Sequence, residues 1–229
     1  MDKGISAFLK LHETFKSNGF KLYLVGGTVR DYLLGQPLSD LDAVTDAKPE
    51  VMRIFLKDAD FTFAKYGSVS YVSSSGFKFD ITTMRKEKRY KDSRHPGYIK
   101  FVKHRHIDVK RRDFTINALY LDKNLKVIDF VHGQKDLHNK ILRMVGKPQK
   151  RIVEDPLRII RALRFVIDYD LTLDPKLEET IRKNISLLDR LNGEKITQDL
   201  KKIKCVDKAK IVKILNNFNI KHLYDVIES

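Results

Sequence analysis

The chain has 229 residues, which at about 150 residues per domain predicts one or two domains. Its composition is 42% hydrophobic and 33% charged, with 11 Gly, 6 Pro and one cysteine, Cys205. These values exclude a collagen-like or disordered chain, an internal disulfide framework and a Cys-rich zinc module. With 45 Lys or Arg against 30 Asp or Glu, the net charge of +15 points to a polyanionic partner, although a merely solvated basic surface gives the same number. No apolar run of about 18 residues offers a membrane-spanning helix. The opening Met-Asp-Lys-Gly-Ile resembles neither a signal nor a transit peptide, so a reducing cytoplasmic compartment is expected.

In chain order, residues 3–18 carry Ile5, Phe8, Leu9 and Phe15 on one side of an amphipathic helix. Residues 21–25 read as a strand running into Gly26-Gly27, followed by a helix over about 28–34. A strand is expected at 41–45, and Pro49 opens a helix to about Lys57. Residues 69–73 and 77–83 form a predicted hairpin around Ser74-Ser75-Gly76. The segment 85–108 shows no clear period and contains His95-Pro96-Gly97, which predicts a loop. From Arg85 to Arg112 there are 12 Lys or Arg against three acids, a net charge of +9 in 28 residues. A second hairpin is expected across Lys123-Asn124, joining 118–122 to 126–130. Strand signals stop near Lys147 and helical periodicity continues to the end, which predicts an α+β domain followed by an all-helical one.

The chemistry starts at Ser39-Asp40-Leu41-Asp42. On a strand the two carboxylates share a face, about 6.5–7 Å apart along the chain. Such a pair can bridge two magnesium ions about 3.5–4 Å apart, and magnesium favours a few carboxylates together with substrate phosphates. By itself the pair reads as a solvated acidic turn, and the neighbouring residues are what change that reading. Upstream, Val25-Gly26-Gly27-Thr28-Val29-Arg30-Asp31 places two glycines between a strand and a helix start, where the backbone can approach a phosphate. Arg30 can add a charge-assisted contact. In Phe77-Lys78-Phe79-Asp80-Ile81-Thr82 the odd positions are apolar, so Asp80 lies on the polar face of a strand that could pair beside Asp40 and Asp42. It is expected as a third carboxylate, or as an ordinary surface acid.

These segments resemble the first motif of the class II tRNA nucleotidyltransferases, the CCA-adding enzymes and their poly(A) polymerase relatives. The matching stretches are residues 25–35 and 39–47. Arg111-Arg112-Asp113-Phe114-Thr115-Ile116-Asn117-Ala118 is similar to the second motif, and Glu154-Asp155-Pro156-Leu157-Arg158 to the fourth. Residues 129–136 are similar to the linking motif without its usual Asp-Pro-Phe-Gly-Gly, and 191–200 to a worn fifth motif. The resemblance covers roughly residues 20–204.

The resemblance implies a fold and a set of roles. The fold is an α+β nucleotidyltransferase head with a mixed β-sheet (1–147), followed by an all-α neck and a remnant body domain (148–229). Gly26, Gly27 and Arg30 would hold a triphosphate, Asp40 and Asp42 would bind Mg²⁺, and Asp80 would join them in catalysis. Arg112 would contact the incoming nucleotide and Asp113 its ribose 2′-hydroxyl. Without the resemblance, Arg111-Arg112 and Asp113 read as a solvated pair and a helix end. Asp155 and Arg158 would present an acceptor beside a planar donor fork and select CTP and ATP, with Arg161 and Arg164 lining the nucleotide pocket. The plainer reading of the same residues is an Asp-Pro helix opening followed by a solvated arginine stripe.

The basic segment corresponds to the mobile loop of enzymes that add the terminal A, and its full length favours CCA or A addition over CC addition. His95, His104 and His106 are expected to face RNA or solvent rather than a metal. The implied reaction is template-independent transfer of CMP and AMP to a tRNA 3′ end. Alternatives are an A-adding or poly(A) polymerase-like enzyme with relaxed RNA choice, a catalytically idle RNA-binding module and, more weakly, a small-molecule nucleotidyltransferase. About 25 residues follow the fifth motif, where family members continue into body and tail domains. Either head and neck alone hold tRNA, or a partner or a homo-oligomer supplies the rest.

Overall fold

The computed structural model describes residues 2–90, 96–220 and 223–224. The chain divides into two compact units, one of residues 1–88 with 98–134 and one of 89–97 with 135–229.

The first unit begins with α1 (Lys3–Ser17), whose start is capped by the Asp2 carboxylate accepting the Gly4 and Ile5 N–H groups. The chain continues through β1 (Leu22–Val25), α2 (Gly27–Leu33), β2 (Asp40–Thr45), α3 (Pro49–Phe55), β3 (Ser68–Val72) and β4 (Lys78–Thr83). Then come β5 (Arg85–Tyr90), β6 (Pro96–Phe101), α4 (Arg105–Asp108), β7 (Tyr120–Leu121) and β8 (Val127–Ile128). Six strands form one sheet in the order β3-β4-β2-β1-β7-β8. It is mixed: β2 and β4 run parallel and the other pairs are antiparallel. Ile5, Phe8, Leu11 and Phe15 of α1 pack with Leu22, Leu24, Leu41, Ala43, Phe79 and Ile81, which take every second position of their strands. Burying rings such as Phe8 and Phe15 contributes about 2–3 kcal/mol each. The opposite face of β2 and β4 is thereby left to the polar residues.

Both hairpins expected from the turn residues are present, β3 with β4 and β7 with β8. The basic segment, expected to be a loop, instead supplies β5 and β6 as a separate two-stranded sheet, then α4. Arg85-Lys-Glu-Lys-Arg-Tyr90 is polar at nearly every position, so it lacks the alternation that reveals a strand. Its pairing comes from backbone hydrogen bonding. His95 lies outside the described residues, while His104 and His106 are exposed and stack at 5.4 Å.

The chain passes into the second unit within β5, returns within β6, and passes over finally within α5 (Gly133–His138). The second unit then contains β9 (Ile141–Leu142), α6 (Pro148–Glu154), α7 (Leu157–Tyr169), β10 (Thr172–Leu173), α8 (Pro175–Asn184), α9 (Gly193–Leu200) and α10 (Lys208–Asn217). Its helices follow the expected periodicity, and Ile211, Leu215 and Phe218 are buried. It is not purely helical: β10 pairs in parallel with β9. Two residues are too short to carry a legible pattern, and the pairing follows once Leu142, Leu171 and Leu173 are buried. Among the described residues no helix is long and apolar enough to cross a membrane.

Candidate active site

The site in the first unit is built where β1 ends. Gly26 has φ 68° and ψ −134°, a conformation that glycine alone adopts readily. A Cβ on Gly26 would stand 3.2 Å from Asp42 Oδ2 and 3.8 Å from Arg112 Nη1. The bare backbone is therefore what lets the turn lie against the acidic strand.

Asp40 and Asp42 stand on the exposed face of β2, while Leu41 and Ala43 point into the core. In the parallel register Asp42 faces Asp80 across the β2–β4 pair, and Asp40 faces Lys78. The Lys78 ammonium lies 3.7 Å from Asp80 Oδ2. Although Asp42 sits on the open face, neighbouring atoms crowd its carboxyl and withdraw water, which raises its pKa above the ordinary value. The Arg112 guanidinium opposes that rise, the Asp80 charge adds to it, and the Gly27 N–H and Arg30 oppose it again. Two like charges side by side on hard oxygen donors fit a divalent cation of the magnesium type. Among the described residues no three His, Cys, Asp or Glu side chains gather as a ready-made metal group.

Thr28 holds this arrangement together and was not singled out by the sequence. Its buried Oγ1 accepts the Asp42 N–H at 2.7 Å and donates to the Asp40 carbonyl at 3.4 Å. One hydroxyl thus joins α2 to the strand carrying both acids. The available signal was a small hydroxyl residue directly after Gly-Gly, at the helix start, where such side chains bond nearby backbone. Arg30 is only 5% exposed. It donates to Asn117 Oδ1 at 2.7 Å and pairs with Asp31 at 2.8 Å, beside Gly27.

Arg112 is set by a buried acid, Asp108. This carboxylate is fully buried and accepts from Arg111 Nε at 2.7 Å, Tyr120 Oη at 2.9 Å, Arg112 Nη2 at 3.1 Å and the Arg85 N–H at 3.1 Å. Burial pushes its pKa up, but Arg111, Arg112 and the hydrogen bonds hold it well below the usual carboxylate range. Arg112 also donates to Tyr120 Oη at 3.3 Å, and Glu87 joins the network by pairing with Arg85 at 2.7 Å. In the sequence Asp108 stands only as one of three acids in a basic stretch. Its spacing from Arg111 and Arg112 on a turn of helix was the usable signal. Asp113 is half-buried and accepts the Phe114 N–H at 2.8 Å.

The other expected nucleotide residues belong to the second unit. Asp155 ends α6, and its Oδ1 accepts the Leu157 N–H at 3.2 Å, a duty close to the expected helix opening. Arg158 is 6% exposed and donates to the Arg151 carbonyl at 2.5 Å, with its Nε 3.8 Å from Asp155 Oδ2. A solvated stripe is therefore excluded for Arg158. Arg161 and Arg164 are half-buried over the Phe165 ring at 5.9 and 5.1 Å, and Arg164 lies 3.8 Å from the buried Asp199.

Residues 22–143 match the model of the family described as poly(A) polymerase head domain. The chain is 41% identical over 207 residues to the CCA-adding enzyme of Lactobacillus helveticus, covering 89% of this chain and 51% of the relative. It is 43% identical over 189 residues to that of Ligilactobacillus salivarius, covering 82% and 46%. It is also similar to the crystal structure of the Bacillus stearothermophilus CCA-adding enzyme in complex with CTP. That similarity has a TM-score of 0.87 at 32% identity and covers 96% of this chain and 53% of the other. For the Thermotoga maritima CCA-adding enzyme complexed with tRNA-CCA the TM-score is 0.76 at 28% identity, covering 97% and 53%. The chain spans about half the length of these relatives.

Proposed function

Because the chain belongs to the poly(A) polymerase head-domain family, we propose that it transfers CMP and AMP from CTP and ATP to the 3′ end of tRNA without a nucleic-acid template. The observation that carries this reading is Asp42 facing Asp80 in register and lying against the Gly26 turn. The carboxylates assigned to the metal and the turn assigned to the phosphates are then neighbours, which supports the reading. The named CCA-adding relatives support the choice of nucleotides and RNA.

In the reaction the RNA 3′-oxygen bonds to the α-phosphorus. The bond from that phosphorus to the β-phosphate oxygen breaks, pyrophosphate leaves, and the hydroxyl proton passes to solvent. Asp40 and Asp42 would hold magnesium, whose positive charge would ease loss of that proton and steady the triphosphate. Asp80 adds its charge beside Asp42. The Gly26–Gly27 backbone receives the triphosphate, with Arg30 stiffening the turn and placing positive charge next to it. Arg112 is held by Asp108 to meet the nucleotide, and Asp113 is assigned to the ribose 2′-hydroxyl. In the neck, Asp155 and Arg158 are assigned to the base edge, an acceptor beside donors, with Arg161 and Arg164 alongside. The head is taken as 1–147 and the neck with remnant body as 148–229, working in the cytoplasm.

A second reading, an A-adding or poly(A) polymerase-like enzyme, is kept by the description of the matching family. Incubation with tRNAs ending before CCA, after C and after CC, with each of the four NTPs, tests both. Stepwise addition of C, C and A that then stops supports the first reading. Addition of A alone or of long A tracts supports the second, and no metal-dependent labelling of any RNA end refutes both. A second copy of the chain is proposed as a further partner on the tRNA, and a rate per molecule that rises with protein concentration tests it.

A further inference from the structure

In-line displacement requires the attacking and leaving oxygens to lie on opposite sides of the phosphorus. The triphosphate is assigned to the turn after β1, on one side of the acidic strand β2. In the sheet order, β4 and then β3 lie on the other side of β2. The attacking hydroxyl should come from there, and the fold has an opening at that place.

A cavity of about 610 Å³ lies over β3 and β4, lined among others by Phe63, Tyr66, Ser68, Ser70, Lys78 and Asp80. This volume falls within the range of small-ligand sites. Ser70 is paired opposite Asp80, and Asp80 is opposite Asp42, so three adjacent strands bring the cavity up to the acidic pair. Its wall includes the ring of Phe63, 60% exposed on a large apolar side chain. Covering an apolar ring removes it from water and is favourable, and every nucleobase has a face to stack on an aromatic ring. Tyr66 is less available, because the Lys65 ammonium lies 4.9 Å from its ring centre.

Backbone hydrogen bonds close the turn bearing these rings and tie it to β4. Gly67 ends it at φ 80°, donating to the Ala64 carbonyl at 2.8 Å and accepting the Thr83 N–H at 2.7 Å. The remaining wall is polar and suits a sugar-phosphate: two serine hydroxyls and the Lys78 ammonium. Asp60, also on the wall, directs Oδ1 to the Thr62 N–H and hydroxyl at 2.8 and 2.6 Å.

We propose that this cavity seats the 3′-terminal nucleoside of the RNA being extended, with its base stacked on Phe63 and its 3′-hydroxyl directed toward Asp80 and Asp42. The inference rests on the nucleotidyl-transfer reading and adds the side from which the RNA end enters.

The chain contains no tryptophan, so Phe63→Trp installs a lone tryptophan at the site, which can be excited selectively over the tyrosines. The probe is a short acceptor-stem hairpin ending in CC. Its saturable titration should quench or shift the Trp emission, and the same hairpin with an abasic 3′-terminal residue should do so far less. Phe63→Ala should raise the Kd for the CC hairpin by about tenfold, as loss of one base stack does. Its KM for nucleotide should be unchanged, and Phe63→Trp should restore RNA affinity. An unchanged Kd in Phe63→Ala, or emission insensitive to bound hairpin, overturns the site. If the wild-type protein adds no nucleotide to any RNA, the catalytic reading fails, while the binding and emission measurements still decide the cavity. Phe63 is solvent-exposed, so Phe63→Ala should melt like the wild type.

Discussion

Asp108→Ala should be among the most destructive substitutions in the first unit, although this residue touches no substrate in the proposed reaction. The carboxylate is 0% exposed and takes hydrogen bonds from four donors, two of them guanidinium groups. Arg111 and Arg112 are themselves only 15% and 12% exposed, so water cannot replace the lost anion freely. Removing one partner of a buried ion network typically costs about 3–5 kcal/mol, because the other charges stay behind uncompensated. At about 2–4 °C per kcal/mol for a chain of this size, Tm should fall by about 10 °C. Asp108→Asn keeps the shape but loses the charge and separates the two contributions.

The pH dependence has a definite sign. The folded pKa of Asp108 lies below the unfolded value of about 3.9, so its stabilisation is complete above that value. It is lost as pH falls through the folded pKa. Below about pH 4 the wild type should therefore lose stability more steeply than Asp108→Asn. Thermal and urea melts of the three proteins between pH 3 and 8 measure both effects. A loss under about 1 kcal/mol in Asp108→Ala at pH 7, the range of exposed ion pairs, would refute the buried-network argument. Steady-state kinetics on Asp108→Asn should show a higher KM for nucleotide, since Arg112 loses its anchor.

Three further outcomes are expected. Asp42→Ala should nearly abolish nucleotide addition while leaving RNA affinity within about twofold, measured by end-labelling and anisotropy; two-metal catalysis needs both carboxylates. Thr28→Val removes the acceptor for the Asp42 N–H and should cost about 1–2 kcal/mol by urea melt, with a lower kcat because β2 is no longer joined to α2. Arg158→Ala should weaken discrimination of CTP and ATP against UTP and GTP more than it raises KM for CTP, since the phosphates are assigned elsewhere. Unchanged nucleotide preference would leave Arg158 a structural brace on the Arg151 carbonyl.

What the sequence determined by itself was whatever is written in local pattern. The alternation in Phe77–Thr82 marked both a strand and the face on which Asp80 would stand, because strand side chains alternate with period two. Gly-Gly between an apolar strand and a helix marked a close backbone approach, since other residues disfavour the conformation that Gly26 adopts. Periodicity likewise marked α7 and α10 as helices. Pairing partners and burial of charge were decided only in three dimensions. Asp42 and Asp80 are 38 positions apart, and it is the parallel register of β2 with β4 that sets them side by side. Asp108 looks like a minor acid in a basic run, yet the fold encloses it and makes it the anchor of Arg112. The strand β5 carries no apolar alternation, so only backbone pairing reveals it. A hydrophobic pattern records which face of an element meets the core. Which distant element supplies the neighbour across that face depends on tertiary packing.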